Sequence, residues 1–325
     1  MTSTIDQTRG VSTPREAKRG DTGPSDSARR RARRREKTIQ WMFLAPAVLY
    51  VALFFGYPVV KNVMMGFQEY TTKTFFTGEA PWVGWANYAT VVQSSLFSTT
   101  VTNTALFTIG SMIGQFTLGM LLALYFRRRF PLNNILRSLL LLPWLLPLIA
   151  STAVWKWILD QDSGVLNQTL QNLHLISEPI PWLTSPDLAL LAVVGVNVWL
   201  GIPFNVSLLY SGLQDIPEEL YEAGALDGAT GWNAFWNITW PSLRPVVSVV
   251  LVLGVVYTLK VLDIILGLTG GGPANSTQTL ATNSYHRSFV EFDFGTGAAV
   301  SNILIVISLV FSVIYLRVNR RPVDE

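Results

Sequence analysis

The residues of this chain that could do chemistry are few and scattered. Lys260 and Asp263 lie three apart in an apolar run, where they could pair along one helix side, gate a path or exchange a proton. Glu222 and Asp227 flank the small residues Ala223, Gly224 and Ala225, so directed charge sits beside a surface that admits close approach. His174 and His286 are far apart with no ligand spacing around them, and the absence of cysteine excludes disulfides, thiol chemistry and Cys-based metal sites. The glycine-rich "TGGGP" (269–273) lacks the Lys and Ser/Thr of a nucleotide loop and reads as a turn. What remains favours binding over catalysis. Asn197, Gly201, Phe204 and Asn205, with Leu208, recur at spacings of three or four, as do Gly254, Tyr257, Thr258 and Val261. Such helical faces either pack against another helix through small and amide side chains or line a polar path. The residues alone leave both readings open.

The elements that must position these residues are apolar and long. Half of the 325 residues are hydrophobic and only 14% are charged, where a soluble domain carries about 25%; the mean hydropathy is +0.35. Six apolar runs stand out, at about 41–60, 101–126, 138–155, 188–213, 245–268 and 294–316. At roughly 1.5 Å per residue each can cover a hydrocarbon core of about 30 Å. The expectation is an all-α integral membrane protein with six transmembrane helices, its membrane domain covering 40–320. Residues 1–39 hold 11 of the 24 Lys and Arg against 5 acids, so this tail carries +6 and the remainder −3. It reads as a disordered, basic cytoplasmic tail able to touch anionic headgroups, not as a nucleic-acid patch, since no aromatics are interleaved, nor as a cleavable signal. Arginines recur at 127–137 and 317–321, which six spans place on the tail's side. Both termini are therefore expected in the cytoplasm, with the loops 61–100, 156–187 and 269–293 outside.

The loop 214–244 is then cytoplasmic, and it has helical structure of its own. Asp215 and Glu218 resemble a capping box, and Pro217 suits a first turn. Gly228 is placed to end this helix as a left-handed cap. Thr230 is placed to cap a second, with Trp232, Phe235, Trp236 and Thr239 on one face until Pro241 stops it. A helix–turn–helix hung between two spans fits either the headgroup region or a protein partner. Acids beside anionic lipid are unfavourable, which favours the partner.

The stretch resembles the EAA loop of ABC-importer permeases: E-A-A, then G, then nine residues, then I-x-L-P. Here it reads Glu222, Ala223, Gly224, three residues, Gly228, nine residues, Ile238, Thr239, Trp240, Pro241; Gly224 replaces the second Ala and Trp240 the Leu. The likeness runs over nearly all of the chain after residue 40, and is to the carbohydrate-uptake (maltose and glycerol-phosphate importer) type. "WVGWANY" (82–88), "NTALFT" (103–108), "WKWILDQDSGVLNQ" (155–168), "LTGGGPANST" (268–277) and "SFVEFDFGTGAAVS" (288–301) match that type in order.

The resemblance implies a permease subunit forming half of a translocation pathway for a sugar brought by an external solute-binding protein. It implies a second permease and two ATP-hydrolysing subunits, which would hold the ATP and Mg; this chain binds no cofactor and is not an enzyme. Glu222, Ala223, Gly224, Asp227, Gly228, Ile238 and Pro241 would couple to the ATPase. Asn197, Gly201, Phe204, Gly254, Tyr257, Thr258 and Val261 would line the substrate path, with Lys260 and Asp263 a gate or subunit contact. Neutral donors and aromatic faces suit a neutral sugar better than glycerol phosphate. The alternatives are an ion-gradient-driven secondary transporter, which would use Asp263 and Lys260 but leave the EAA loop without a purpose, and a membrane scaffold or sensor.

Overall fold

The computed structural model describes residues 26–128 and 130–319. Residues 1–25 of the expected tail, and Arg320 and Arg321 of the terminal cluster, lie outside the described residues. The chain divides into two units, Met1–Val59 and Val60–Glu325. In the first, a helix Asp26–Val51 passes into a π-turn, Ala52–Gly56. The disorder expected over 1–39 is therefore corrected for 26–39, which are helical. Residues 28–37 are mostly Ala, Arg, Glu and Lys, all strong helix formers. A helix already nucleated by the apolar sequence beyond them extends at one hydrogen bond per residue.

The principal helices are α1 (Ile39–Met65), α2 (Ser95–Arg127), α3 (Asn133–Leu145), α4 (Leu148–Ile158), α5 (Ala189–Gln214), α6 (Glu218–Leu226), α7 (Trp232–Leu259), α8 (Asp263–Leu268), α9 (Leu280–Tyr285) and α10 (Phe294–Asn319). Among the described residues there is no strand, only the isolated bridges Gln68–Trp82 and Thr71–Asp293. Five helices are long and apolar enough to cross a membrane, and α3 with α4 would make a sixth span if that bent pair is counted as one.

Two runs differ from their sequence-based boundaries. The run 138–155 is bent by 98° between α3 and α4. Pro147 is the cause: it offers no N–H to the ladder and pushes Leu146 into extended backbone (ψ 141°). The run 245–268 ends as a helix at Leu259, and α8 starts afresh at Asp263. Lys260 (φ −96°, ψ 6°) and Leu262 (φ −122°, ψ −53°) are not helical. At its other end this helix begins at Trp232, well before residue 245.

Packing explains why polar residues recur inside these spans. In lipid, apolar side chains gain little by meeting each other, so helices associate through close backbone approach and hydrogen bonds. Thr100, Asn103, Thr104, Thr108, Ser111 and Gln115 follow one face of α2 and are all buried. Gly119 of α2 lies directly against Asn205 of α5. Apolar clusters sit beyond each end of this contact. One joins Phe107, Val193, Val196, Leu200 and Ile265; the other joins Met120, Leu209, Leu213, Leu243, Val247 and Val250.

The segments that carried the family resemblance hold the loops. Asn87 donates to the carbonyls of Gly66 (3.0 Å) and Gln68 (2.9 Å). Asn103 donates to the carbonyls of Asn275 (3.2 Å) and Gln278 (3.0 Å), pinning the glycine-rich turn to α2. Asn167 is buried and closes 161–182: its amide donates to Gln161 and Ile180, and its Oδ1 accepts from Trp182 Nε1 at 2.9 Å. Each amide side chain satisfies carbonyls of loop backbone.

Candidate functional site

The loop between α5 and α7 is a helical hairpin whose two halves touch. The helix α6 ends in a Schellman arrangement. Gly228 takes φ +81°, its N–H bonds the Ala225 carbonyl at 3.1 Å, and the Ala229 N–H bonds the Gly224 carbonyl at 2.7 Å. Gly224 faces Ile238, and a Cβ placed there would come within 2.5 Å of Ile238 Cδ1. The glycine that departs from E-A-A thus sits where the two halves of the pattern meet. Trp240, the other departure, packs into the apolar cluster at this end, edge-on to Phe116 with ring centroids 6.5 Å apart. Glu222, Ala223 and Asp227 are exposed beside this contact; Ile238 and Pro241 are half-buried.

Three local readings of this loop are corrected. Asp215 does not cap α6. Its own backbone is still helical (φ −76°, ψ −8°), whereas a capping residue needs extended backbone, and α6 starts behind Pro217 with no side-chain cap. Thr230 does not cap the second helix either; Gly231, at φ 54°, precedes it. Pro241 does not stop that helix. A π-turn, Phe235–Thr239, lies just ahead of it and shifts the hydrogen-bond register, so the proline enters at the first positions of the continuing helix, where its missing N–H is tolerated.

The predicted path residues separate into two groups. Asn197 and Asn205 are buried against α2. Gln115 Nε2 donates to the Asn197 carbonyl at 3.0 Å, and Gly201 abuts the Gln115 side chain. Asn205 Nδ2 turns back on the Gly201 carbonyl at 2.9 Å. Gly254 lies under Met112, Thr258 is buried, and Val261 packs on the cluster around Leu200. These residues serve helix contacts here. Phe204 and Tyr257 instead face one another edge-on at 6.0 Å, and the Tyr257 ring is exposed. Trp144 of α3 extends the aromatic surface, 6.3 Å from Phe204. Lys260 places its ammonium 4.8 Å from the centre of the Tyr257 ring. The Lys260–Asp263 pair is not formed; the break at 260–262 takes the two off a common helix, and among the described residues the ion pair found is His286–Glu291.

Sequence reasoning missed Trp144 and Gln115. Trp144 stands between two prolines in "LPWLLP", and Gln115 is a lone amide in a run of apolar residues. The cost of a polar group at that depth is a signal that would have marked the second.

This arrangement defines a class: a polytopic helical membrane protein with an exposed helical hairpin between two spans and an aromatic face. Residues 115–323 match the family model described as the binding-protein-dependent transport system inner membrane component. The chain belongs to that family. It is 35% identical over 289 residues to the trehalose/maltose transport system permease protein MalF of Thermococcus litoralis, covering 88% of this chain and 95% of the relative. Over 329 residues, 99% of each chain, it is 30% identical to the diacetylchitobiose uptake system permease protein DasB of Streptomyces coelicolor. Among solved structures, a bacterial ABC transporter involved in import of the acidic polysaccharide alginate matches with a TM-score of 0.74 at 22% identity, covering 90% of this chain and 100% of that one. The protein is thus an all-α, multi-pass permease subunit of an ABC importer, and its family is a transport family, not a catalytic one.

Proposed function

We propose that the chain forms half of the path for a neutral di- or oligosaccharide, with both termini in the cytoplasm. A second permease supplies the other half, and two ATPase subunits supply ATP hydrolysis and Mg. The hairpin of Glu222, Ala223, Gly224, Asp227, Gly228, Ile238 and Pro241 docks on an ATPase. Relatives named for trehalose/maltose and diacetylchitobiose uptake support the sugar class. The observation that carries it is the aromatic face on which Trp144 and Tyr257 are exposed and Phe204 is half-buried. Sugar rings stack on such faces, whereas a phosphorylated substrate meets clustered Arg or Lys. Lys260 is a lone cation there, already lying against Tyr257. An ion-gradient mechanism would draw on Lys260 and Asp263, and these do not pair.

The test is Gly228→Leu in the assembled transporter with a maltose- or trehalose-loaded binding protein. A φ of +81° costs a leucine about 1–3 kcal/mol, so the turn must rearrange. Binding-protein-stimulated ATP hydrolysis should be lost while the chain still inserts. Normal stimulation in the variant removes the docking role.

A further inference from the structure

The basic loop after α2 has a local use beyond fixing topology. Arg127 closes α2, where a cation is favoured by the helix dipole. Its guanidinium carbon lies 4.2 Å from the centre of the Tyr221 ring in α6, and its Nη1 donates to the Tyr221 hydroxyl at 2.8 Å. That hydroxyl is 2.9 Å from Thr239 Oγ1, and Thr239 in turn donates to the Ala234 carbonyl at 3.5 Å. Arg only donates, so the Tyr221 hydroxyl accepts from Arg127; in its contact with Thr239 either hydroxyl can be the donor. The chain of contacts runs Arg127, Tyr221, Thr239, Ala234, joining α2, α6 and the π-turn of α7. Thr239 is 3% exposed, so its hydroxyl is buried within the chain. A second contact of the same kind lies nearby: Arg137 of α3 sits 4.4 Å over the Tyr210 ring of α5, and Gln214 donates to the Tyr210 hydroxyl at 2.9 Å.

We propose that Arg127, Tyr221 and Thr239 form a strut that fixes the docking helix to the end of α2, so that movement of α6 is passed to α2 and α7 together. These are positioning residues, and the proposal rests on the docking role of α6. The geometry favours a strut over incidental contact for two reasons. The guanidinium lies over the ring and donates to the hydroxyl of the same tyrosine, which fixes both its ring and its hydroxyl. The tyrosine also links elements distant in sequence, since Tyr221 and Thr239 are 18 residues apart and Arg127 is 94 residues from Tyr221.

The chain has no cysteine, so Arg128→Cys and Glu219→Cys, both at exposed positions, can carry a spin-label pair. The labelled permease is assembled with its partner permease and ATPases, and the distance is read by pulsed EPR without nucleotide and with ATP plus vanadate. The parent should give one narrow distance in both states. Tyr221→Phe, which keeps the ring but loses the hydroxyl, and Thr239→Val should lose that single distance on ATP and vanadate, whereas Thr239→Ser should keep it. Parental distances in both Tyr221→Phe and Thr239→Val overturn the strut, as does an equal loss in Thr239→Ser, which would mark a packing role. If Tyr221→Phe does not assemble, the two Thr239 variants decide alone. Failure of the docking role is distinguishable: the ATPases would then not bind the labelled parent at all, and the strut would fall with it.

Discussion

Gly224 and Ile238 touch across the hairpin between α5 and α7, with only 2.5 Å between Ile238 Cδ1 and the place a Cβ at 224 would occupy. Two effects oppose each other there. Alanine in a helix is favoured over glycine by about 1 kcal/mol, whereas overpacking costs about 1–3 kcal/mol. The contact is the far end of a flexible side chain, so the lower figure applies and the two nearly cancel. Gly224→Ala should therefore change the unfolding temperature of the detergent-solubilised protein little. Ile238→Val alone should cost about 0.5–1.5 kcal/mol. Combined, the alanine fits the space the valine leaves, and the two changes should couple by at least about 0.5 kcal/mol in a double-mutant cycle. Strict additivity would mean the two residues do not meet.

Much of this hairpin is legible in the sequence, and the limits are physical. Gly228 is readable because a left-handed turn after a helix selects glycine. The proline at 241 misleads because a π-turn beside it leaves no composition signal. The break at Lys260 to Leu262 is hidden differently: two charges in an otherwise apolar run leave the mean hydropathy of 245–268 high, and a spacing of three fits one helix as well as a turn. The polar face of α5 was found at the right spacing, but spacing cannot say what it faces. Gln115, 82 residues away, is what meets Asn197.

Topology is open to a direct check in a cysteine-free chain. Ser163, Asn275, Asn134 and Thr230 are exposed, and single cysteines there can be labelled in intact cells with an impermeant maleimide. Labelling is expected at 163 and 275 and not at 134 or 230. The prediction rests on the arginines of 127–137 lying inside. External labelling at 134 would reverse the orientation.

Asp160 should give the turn at 160–163 a pH response. The Ser163 backbone N–H (2.8 Å), its hydroxyl (2.7 Å) and the Asp162 N–H (3.2 Å) all donate to Oδ1 of this carboxylate. They hold its pKa below the ordinary value of 3.8, the Ser163 N–H first among them. A depressed acid stabilises the turn above its ordinary pKa and loses that contribution as pH falls through the folded value. Amide hydrogen exchange at Ser163, corrected for its intrinsic pH dependence, should stay protected at neutral pH and rise below about pH 4. Asp160→Asn should remove this transition. An unchanged acid transition in Asp160→Asn would assign it to another group.

The proposed path separates Tyr257 from Asn197. Tyr257 is 52% exposed on the aromatic face, whereas Asn197 is 4% exposed against α2. Aromatic contact is worth about 0.5–1.5 kcal/mol beyond area burial, so losing the ring should raise the half-saturating sugar concentration by up to about tenfold. Asn197 Nδ2 has no hydrogen-bond partner in the structure, so Asn197→Ala removes no hydrogen bond from that atom, only volume between α2 and α5. In the reconstituted transporter, Tyr257→Ala should weaken uptake of maltose, trehalose or a chito-disaccharide, whichever the parent takes up, with basal ATP hydrolysis retained. Asn197→Ala should lower thermal stability and leave the half-saturating concentration within about twofold, since no sugar hydrogen bond is lost. The reverse pattern, with Asn197→Ala impairing sugar affinity and Tyr257→Ala silent, would move the path to the α2–α5 contact. Uptake of glycerol phosphate alone would instead make Lys260, the cation lying on Tyr257, the group that selects the substrate.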